Sequence, residues 1–176
     1  REIILELAAE TGAEVSVDRM GNVIAKKKGR KGSKKVMIAA HMDEVGFIIS
    51  SISENGMLKF KPVGGIDQRI LLSKRVLIGK DRIPGVIGVK AIHLQEPRER
   101  TTVIRQKQMY IDIGARSKEE AQRLVQLGDY AAFDSSFISF GENKVKAKAL
   151  DDRAGCAILL ELLKKTYDFD LVACFT

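Results

Sequence analysis

The chain has 176 residues, 45% hydrophobic and 30% charged, with a formal net charge of +7. That size and apolar content give a folded chain with a real core in one domain or two small ones, and no apolar run reaches the ~20 residues of a membrane span. Arg1-Glu2-Ile3-Ile4-Leu5-Glu6 lacks the region pattern of a signal peptide, so a cytoplasmic location and no membrane partner are expected. The basic residues gather in Lys26-Lys27-Lys28 through Lys34-Lys35 and from Arg98 to Lys107, without the interleaved aromatics that stack on bases. Solvated turns explain them better than a nucleic-acid partner. Cys156 and Cys174 fall in a helix-like and a strand-like segment and read as buried, reduced thiols.

In chain order, Ile3 to Glu10 predicts a short helix closed by Gly12, then two strands joined at Met20-Gly21-Asn22. Lys35 to Ala40 and Gly46 to Ile49 are near-continuous apolar runs, the pattern of strands buried on both faces. Beyond about Gly64 the texture changes. Short runs at Arg75–Ile78, Gly85–Val89, Met109–Ile113, Tyr130–Phe133 and Phe137–Phe140 alternate with turn residues, which predicts a small barrel. Ser117-Lys118-Glu119-Glu120 is a capping box that opens one helix within it, with Gly128 as its stop. After Lys144 the α/β pattern returns, with a short strand to Leu150, a helix from Arg153 to Lys165 and a strand from Leu171 to Phe175. The fold class expected is α/β: a covered mixed sheet formed by 1–62 and 143–176, interrupted by an inserted small β-barrel at 63–142.

Two runs carry chemistry. In Ala39-Ala40-His41-Met42-Asp43-Glu44-Val45-Gly46, His41 and Asp43 share one face at the carboxyl end of a strand, where open α/β sheets hold ligands. One can bind a metal ion while the other orients it, although a surface histidine near an aspartate explains the run equally well. Gly46 allows the backbone to pass close to a bound group. In Ala149-Leu150-Asp151-Asp152-Arg153, the acidic pair at a helix start is explained by capping and the helix dipole, yet one cap needs only one carboxylate. Imidazole and carboxylate suit a borderline divalent ion such as zinc, and a carboxylate can bridge two ions that activate water.

These runs, with Val63-Gly64-Gly65-Ile66-Asp67, Ile83-Pro84-Gly85-Val86-Ile87-Gly88, Tyr110-Ile111-Asp112-Ile113-Gly114-Ala115 and Gly128-Asp129, occur in one order along nearly the whole chain. Together they resemble the tetrahedral aminopeptidases, dinuclear metallopeptidases that include glutamyl and deblocking enzymes, some named endoglucanase or cellulase. The resemblance implies a zinc-peptidase-like catalytic domain with a barrel lid, two zinc or cobalt ions, peptide substrates and a large homo-oligomer. His41 matches a ligand of one metal, Asp43 the catalytic-site carboxylate that orients it, and Asp151 the carboxylate bridging both ions, followed by a cis peptide bond to Asp152.

In that family the strand matching Leu171 to Thr176 is followed by two glutamates, a general base and a ligand, and later by an Asp and a His ligand. Glu161 and His93 do not stand in for them. The chain reads as the N-terminal part of such an enzyme, inactive by itself, with Leu171–Thr176 as an apolar edge strand. The rival readings are an endo-1,4-β-glucanase-type glycoside hydrolase, disfavoured by the histidine, and a non-catalytic interaction module.

Overall fold

Helix α1 (Glu2–Ala9) ends where Gly12, at φ +73°, takes the left-handed turn that other residues resist. Strands β1 (Glu14–Val17) and β2 (Val23–Lys27) then pair antiparallel across a turn in which the Asp18 carboxylate accepts from the amides of Met20 and Asn22. This computed structural model describes every residue except Ser33, Gln95 and 97–100. The chain divides into two compact units, 1–44 with 149–176 and the intervening 45–148.

The first unit is an α/β sheet. Strand β12 (Asp170–Phe175) lies antiparallel to β2 and parallel to β3 (Lys35–Ala40), giving the order β1-β2-β12-β3. Its inward residues, Leu171, Ala173 and Phe175, alternate with half-exposed Val172 and Cys174, as the period of two requires. They join Val23, Ala25 and Ala40 in one core with Ala8 of α1 and Cys156, Leu159, Leu160 and Leu163 of α3 (Leu150–Leu163).

The second unit has its own core. Strands β4 (Gly46–Ile52), β5 (Leu58–Val63), β6 (Arg75–Ile78), β7 (Ile83–Gly88), β8 (Tyr110–Asp112) and β9 (Tyr130–Phe133) close into a barrel in the order β4-β5-β8-β7-β6-β9. Phe47, Ile49, Leu58, Phe60, Val76, Ile78, Ile87 and Ile111 fill it, and Ala121 and Val125 at helix α2 (Lys118–Leu124) complete it. Phe47 meets Phe60 and Phe133 edge to face at 5.0 and 5.2 Å.

Several expectations are corrected. β4 and β5 belong to the barrel, whose strands run from Gly46 to Phe133, and the compact unit that contains it spans 45–148 instead of the expected 63–142. The run Gly46 to Ile49 is apolar because Phe47 and Ile49 fill a barrel while Ile48 is half-buried on its outside. Gly46 serves a close approach, but to the Ala131 carbonyl across the β4–β9 pair, which a Cβ would meet at 2.7 Å. Phe137–Phe140 is outside the barrel: β10 (Ile138–Phe140) pairs only with β11 (Lys144–Lys146). Helix α2 stops at Leu124, short of Gly128, and Glu120 reaches back to the amide of Arg116 while Ser117 Oγ accepts from Glu120 N.

The strand expected as the apolar edge, β12, lies between β2 and β3; the edges are β1 and β3, and in β3 Val36, Met37 and Ile38 are exposed instead of covered on both faces. The lysine cluster is more than a solvated turn. Lys27 Nζ donates to the carbonyls of Thr11 and Leu163, Lys28 pairs with the buried Asp170, and Arg30 and Lys31 share Asp168. The second basic cluster lies partly outside the described residues, at 98–100. Both cysteines are free, Cys156 buried and Cys174 half-buried. No helix among the described residues is long and apolar enough to cross a membrane.

Candidate functional site

The carboxyl end of β3 is locked to its neighbour on both sides of His41. Thr176 N donates to Ala40 O at 2.9 Å, and Met42 N donates to Thr176 O at 2.7 Å, so the parallel ladder continues past the last strand residue. A side chain held between two such bonds has a fixed exit direction. His41 Nε2 lies 3.2 Å from Asp151 Oδ1, although the two residues are 110 positions apart.

Asp151 reaches that point because the helix start is irregular. Ala149 is left-handed at φ +58°, the Asp151–Asp152 peptide is cis, and neither aspartate has helical dihedrals, so regular helix begins at Arg153. The two carboxylates then divide the work. Asp152 Oδ1 accepts from Gly155 N at 3.0 Å and caps the helix, with Gly155 leaving room where a Cβ would come within 2.4 Å of that oxygen. Asp151 has no capping duty, and its side chain is 96% exposed.

On the other ring nitrogen, His41 Nδ1 is buried and 2.9 Å from Asp43 Oδ1, a close charge contact without the alignment of a directed hydrogen bond. Burial of the ring disfavours its charged form, but the carboxylates of Asp43 and Asp151 outweigh that, and His41 titrates above the ordinary imidazole value.

The structure therefore brings His41, Asp43 and Asp151 together and leaves Glu161 and His93 out. Glu161 is exposed and pairs with Lys164 on its own helix, and His93 is exposed in a short 3-10 turn of the barrel unit. Donor chemistry and spacing fit one part of a metal site: ligands bound about 2.1 Å from a tetrahedral zinc lie roughly 3.4 Å apart, close to the observed 3.2 Å. Among the described residues no three such side chains are arranged around one point, since Asp43 sits behind the ring.

Sequence reasoning missed two anchors on α3. Arg153 Nε donates to Met42 O at 3.2 Å, and Cys156 Sγ approaches His41 O at 3.3 Å. Their spacing of three on a helix that faces β3 was the available signal.

The sequence profile described as M42 glutamyl aminopeptidase matches residues 21–176. A putative aminopeptidase of Acetivibrio thermocellus is 40% identical over 178 residues, covering 100% of this chain and 51% of that protein. Among solved structures, an aminopeptidase from the archaeon Desulfurococcus kamchatkensis superposes with a TM-score of 0.90 at 38% identity, over 99% of this chain and 49% of that one. The TET1 peptidase of Pyrococcus horikoshii, which can assemble into a tetrahedron or a large octahedral shell, superposes at 0.83 with 36% identity, over 100% and 54%. The chain thus spans about half the length of these relatives, and it belongs to the M42 glutamyl aminopeptidase family.

Proposed function

We propose that this chain is part of a metal-dependent aminopeptidase that hydrolyses the peptide bond next to a free amino terminus. The observation that carries this reading is the meeting of His41, backed by Asp43, with an uncommitted Asp151 at the carboxyl end of β3. His41 Nε2 and the Asp151 carboxylate would hold two divalent ions, zinc or cobalt, with Asp151 shared between them. Ions of this kind supply hydroxide near neutral pH and polarise the carbonyl under attack. Asp43 orients the ring from behind, and Arg153 holds the backbone next to it.

In this reading 1–44 with 149–176 is the catalytic unit and 45–148 a lid, in a cytoplasmic protein that assembles into a large homo-oligomer as the TET1 peptidase does. The histidine between two carboxylates favours a metal over the paired carboxyl groups of a glycoside hydrolase. A catalytic zinc normally holds three protein ligands, so the remaining ligands and the general base would lie in a region that its relatives have beyond the span matched here.

Zinc titration calorimetry tests the site. Heat of binding is expected for the chain and not for His41→Ala or Asp151→Asn, and binding unaffected by both substitutions would refute it. A protein carrying both halves should release amino acid from a leucyl or glutamyl anilide and no reducing sugar from β-glucan. The 176-residue chain alone, with added zinc or cobalt, should show no comparable turnover.

A further inference from the structure

The backbone from Ala40 to Met42 is held at four points, and two of them come from α3. Met42 N and Ala40 O are bound by the Thr176 backbone, as in any strand pair. The carbonyls of His41 and Met42 accept from the helix that opens with Asp151, at Cys156 Sγ and Arg153 Nε. A thiol is a weak donor, so most of this second hold rests on the guanidinium. Arg153 Nη2 also lies 4.0 Å from Glu44 Oε1, which places one planar cation against both flanks of Asp43. The cation is 54% exposed and sits on the first regular turn of α3.

We infer that Arg153 is a positioning residue: it ties the His41–Glu44 segment to the start of α3 and so sets the separation between His41 Nε2 and Asp151 Oδ1. A guanidinium used only for solubility has no reason to spend its Nε on a main-chain carbonyl beside the site histidine. The helix supplies both the carboxylate and the clamp that brings the imidazole to it, so the two halves of the site move as one body. The part of this inference that concerns metal rests on the aminopeptidase reading, and the part that concerns the fixed segment does not.

The test uses the 176-residue chain with Arg153→Met, which keeps the length and apolar stem of the side chain, and Arg153→Lys, which restores a donor. Backbone 15N relaxation of the metal-free proteins reports the segment directly. Order parameters at His41 to Asp43 are expected to fall from about 0.85 towards 0.6 in Arg153→Met and to recover in Arg153→Lys. Cobalt(II) titration is read from the paramagnetic shift of the His41 ring, with His93 as the one other histidine for reference. Apparent affinity should drop about 10- to 100-fold in Arg153→Met and recover at least in part in Arg153→Lys. Unchanged order parameters with unchanged cobalt affinity would overturn the inference. If cobalt leaves His41 unshifted in the unsubstituted chain, the metal reading fails, and the relaxation data still decide the positioning role. A matching loss of thermal stability without a local change at His41 would make Arg153 a structural residue and also refute the proposal.

Discussion

The barrel closes on itself, whereas the four-stranded sheet stops at β3 with Val36, Met37 and Ile38 open to solvent. A closed barrel pairs every strand with two neighbours and encloses its core with its own residues. An open sheet buries its faces only against what is laid on them, and here α1 and α3 cover the face that carries Leu171, Ala173 and Phe175. The barrel unit holds none of the candidate site residues, and the α/β unit holds all three.

The largest expected effect breaks the barrel alone. Phe47→Ala removes the fully buried ring that meets Phe60 and Phe133, at a cost of about 3–5 kcal/mol. Segment-resolved hydrogen exchange should show β4 to β9 losing protection while β2 and β12 keep theirs. Loss of protection in both units together would mean that the two cores are one cooperative body. Next is Asp152→Ala, which strips the cap of α3 and should cost about 1 kcal/mol in urea unfolding of the α/β unit, leaving the barrel untouched. An Asp152→Ala chain as stable as the parent would show that the Gly155 amide does not depend on this cap.

A smaller effect follows from pH. The charged His41 ring, favoured by Asp43 and Asp151 over its burial, adds stability below the ordinary imidazole value of 6.5, and this is lost as pH rises through the higher value in the folded chain. Metal loading at the proposed site would run the opposite way, because only the neutral ring is a ligand, so zinc retention is expected to weaken as pH falls through that same elevated value. An NMR titration of the His41 ring with a midpoint at or below 6.5 would contradict both. The smallest effect belongs to the barrel surface. Hydrogen bonds from the Arg69 side chain, and then from its amide, hold the Asp67 carboxyl at about 2. The pair's contribution is present above the usual carboxylate range and lost as pH falls towards 2, and Asp67→Asn should leave the thermal midpoint at neutral pH almost unmoved, since both partners are exposed.

Local pattern carried most of the elements. The Ser117 cap, the Gly12 stop and the strands β6, β9 and β12 stand within a residue or two of where periodicity and turn residues place them. It failed on partner choice. Phe47 and Ile49 look alike in a covered sheet and in a barrel, because the period of two says which side is buried and not what buries it. The site divides along the same line. His41, Asp43 and Asp151 were visible as residue types in suggestive runs, and the difference between Asp151 and Asp152 was not, since it depends on which carboxylate finds the Gly155 amide. For Arg153, the spacing with Cys156 marked a shared helix face and not the acceptor, which is a backbone carbonyl 111 positions earlier.

That separation has a consequence for how the molecule comes together. The β1–β2, β4–β5 and β6–β7 hairpins pair within short stretches of chain, but β3 finds β12 only after the whole of 45–148 has been passed over. Parallel pairing across so long an intervening segment is the slow kind of closure, because the entropy of the loop is lost before the contact gives anything back. The bonds that flank His41 are the far end of that pairing. The proposed ion binding at His41 should therefore appear last during refolding, later than exchange protection of the barrel strands, and serve as a clock for the final step of the α/β unit.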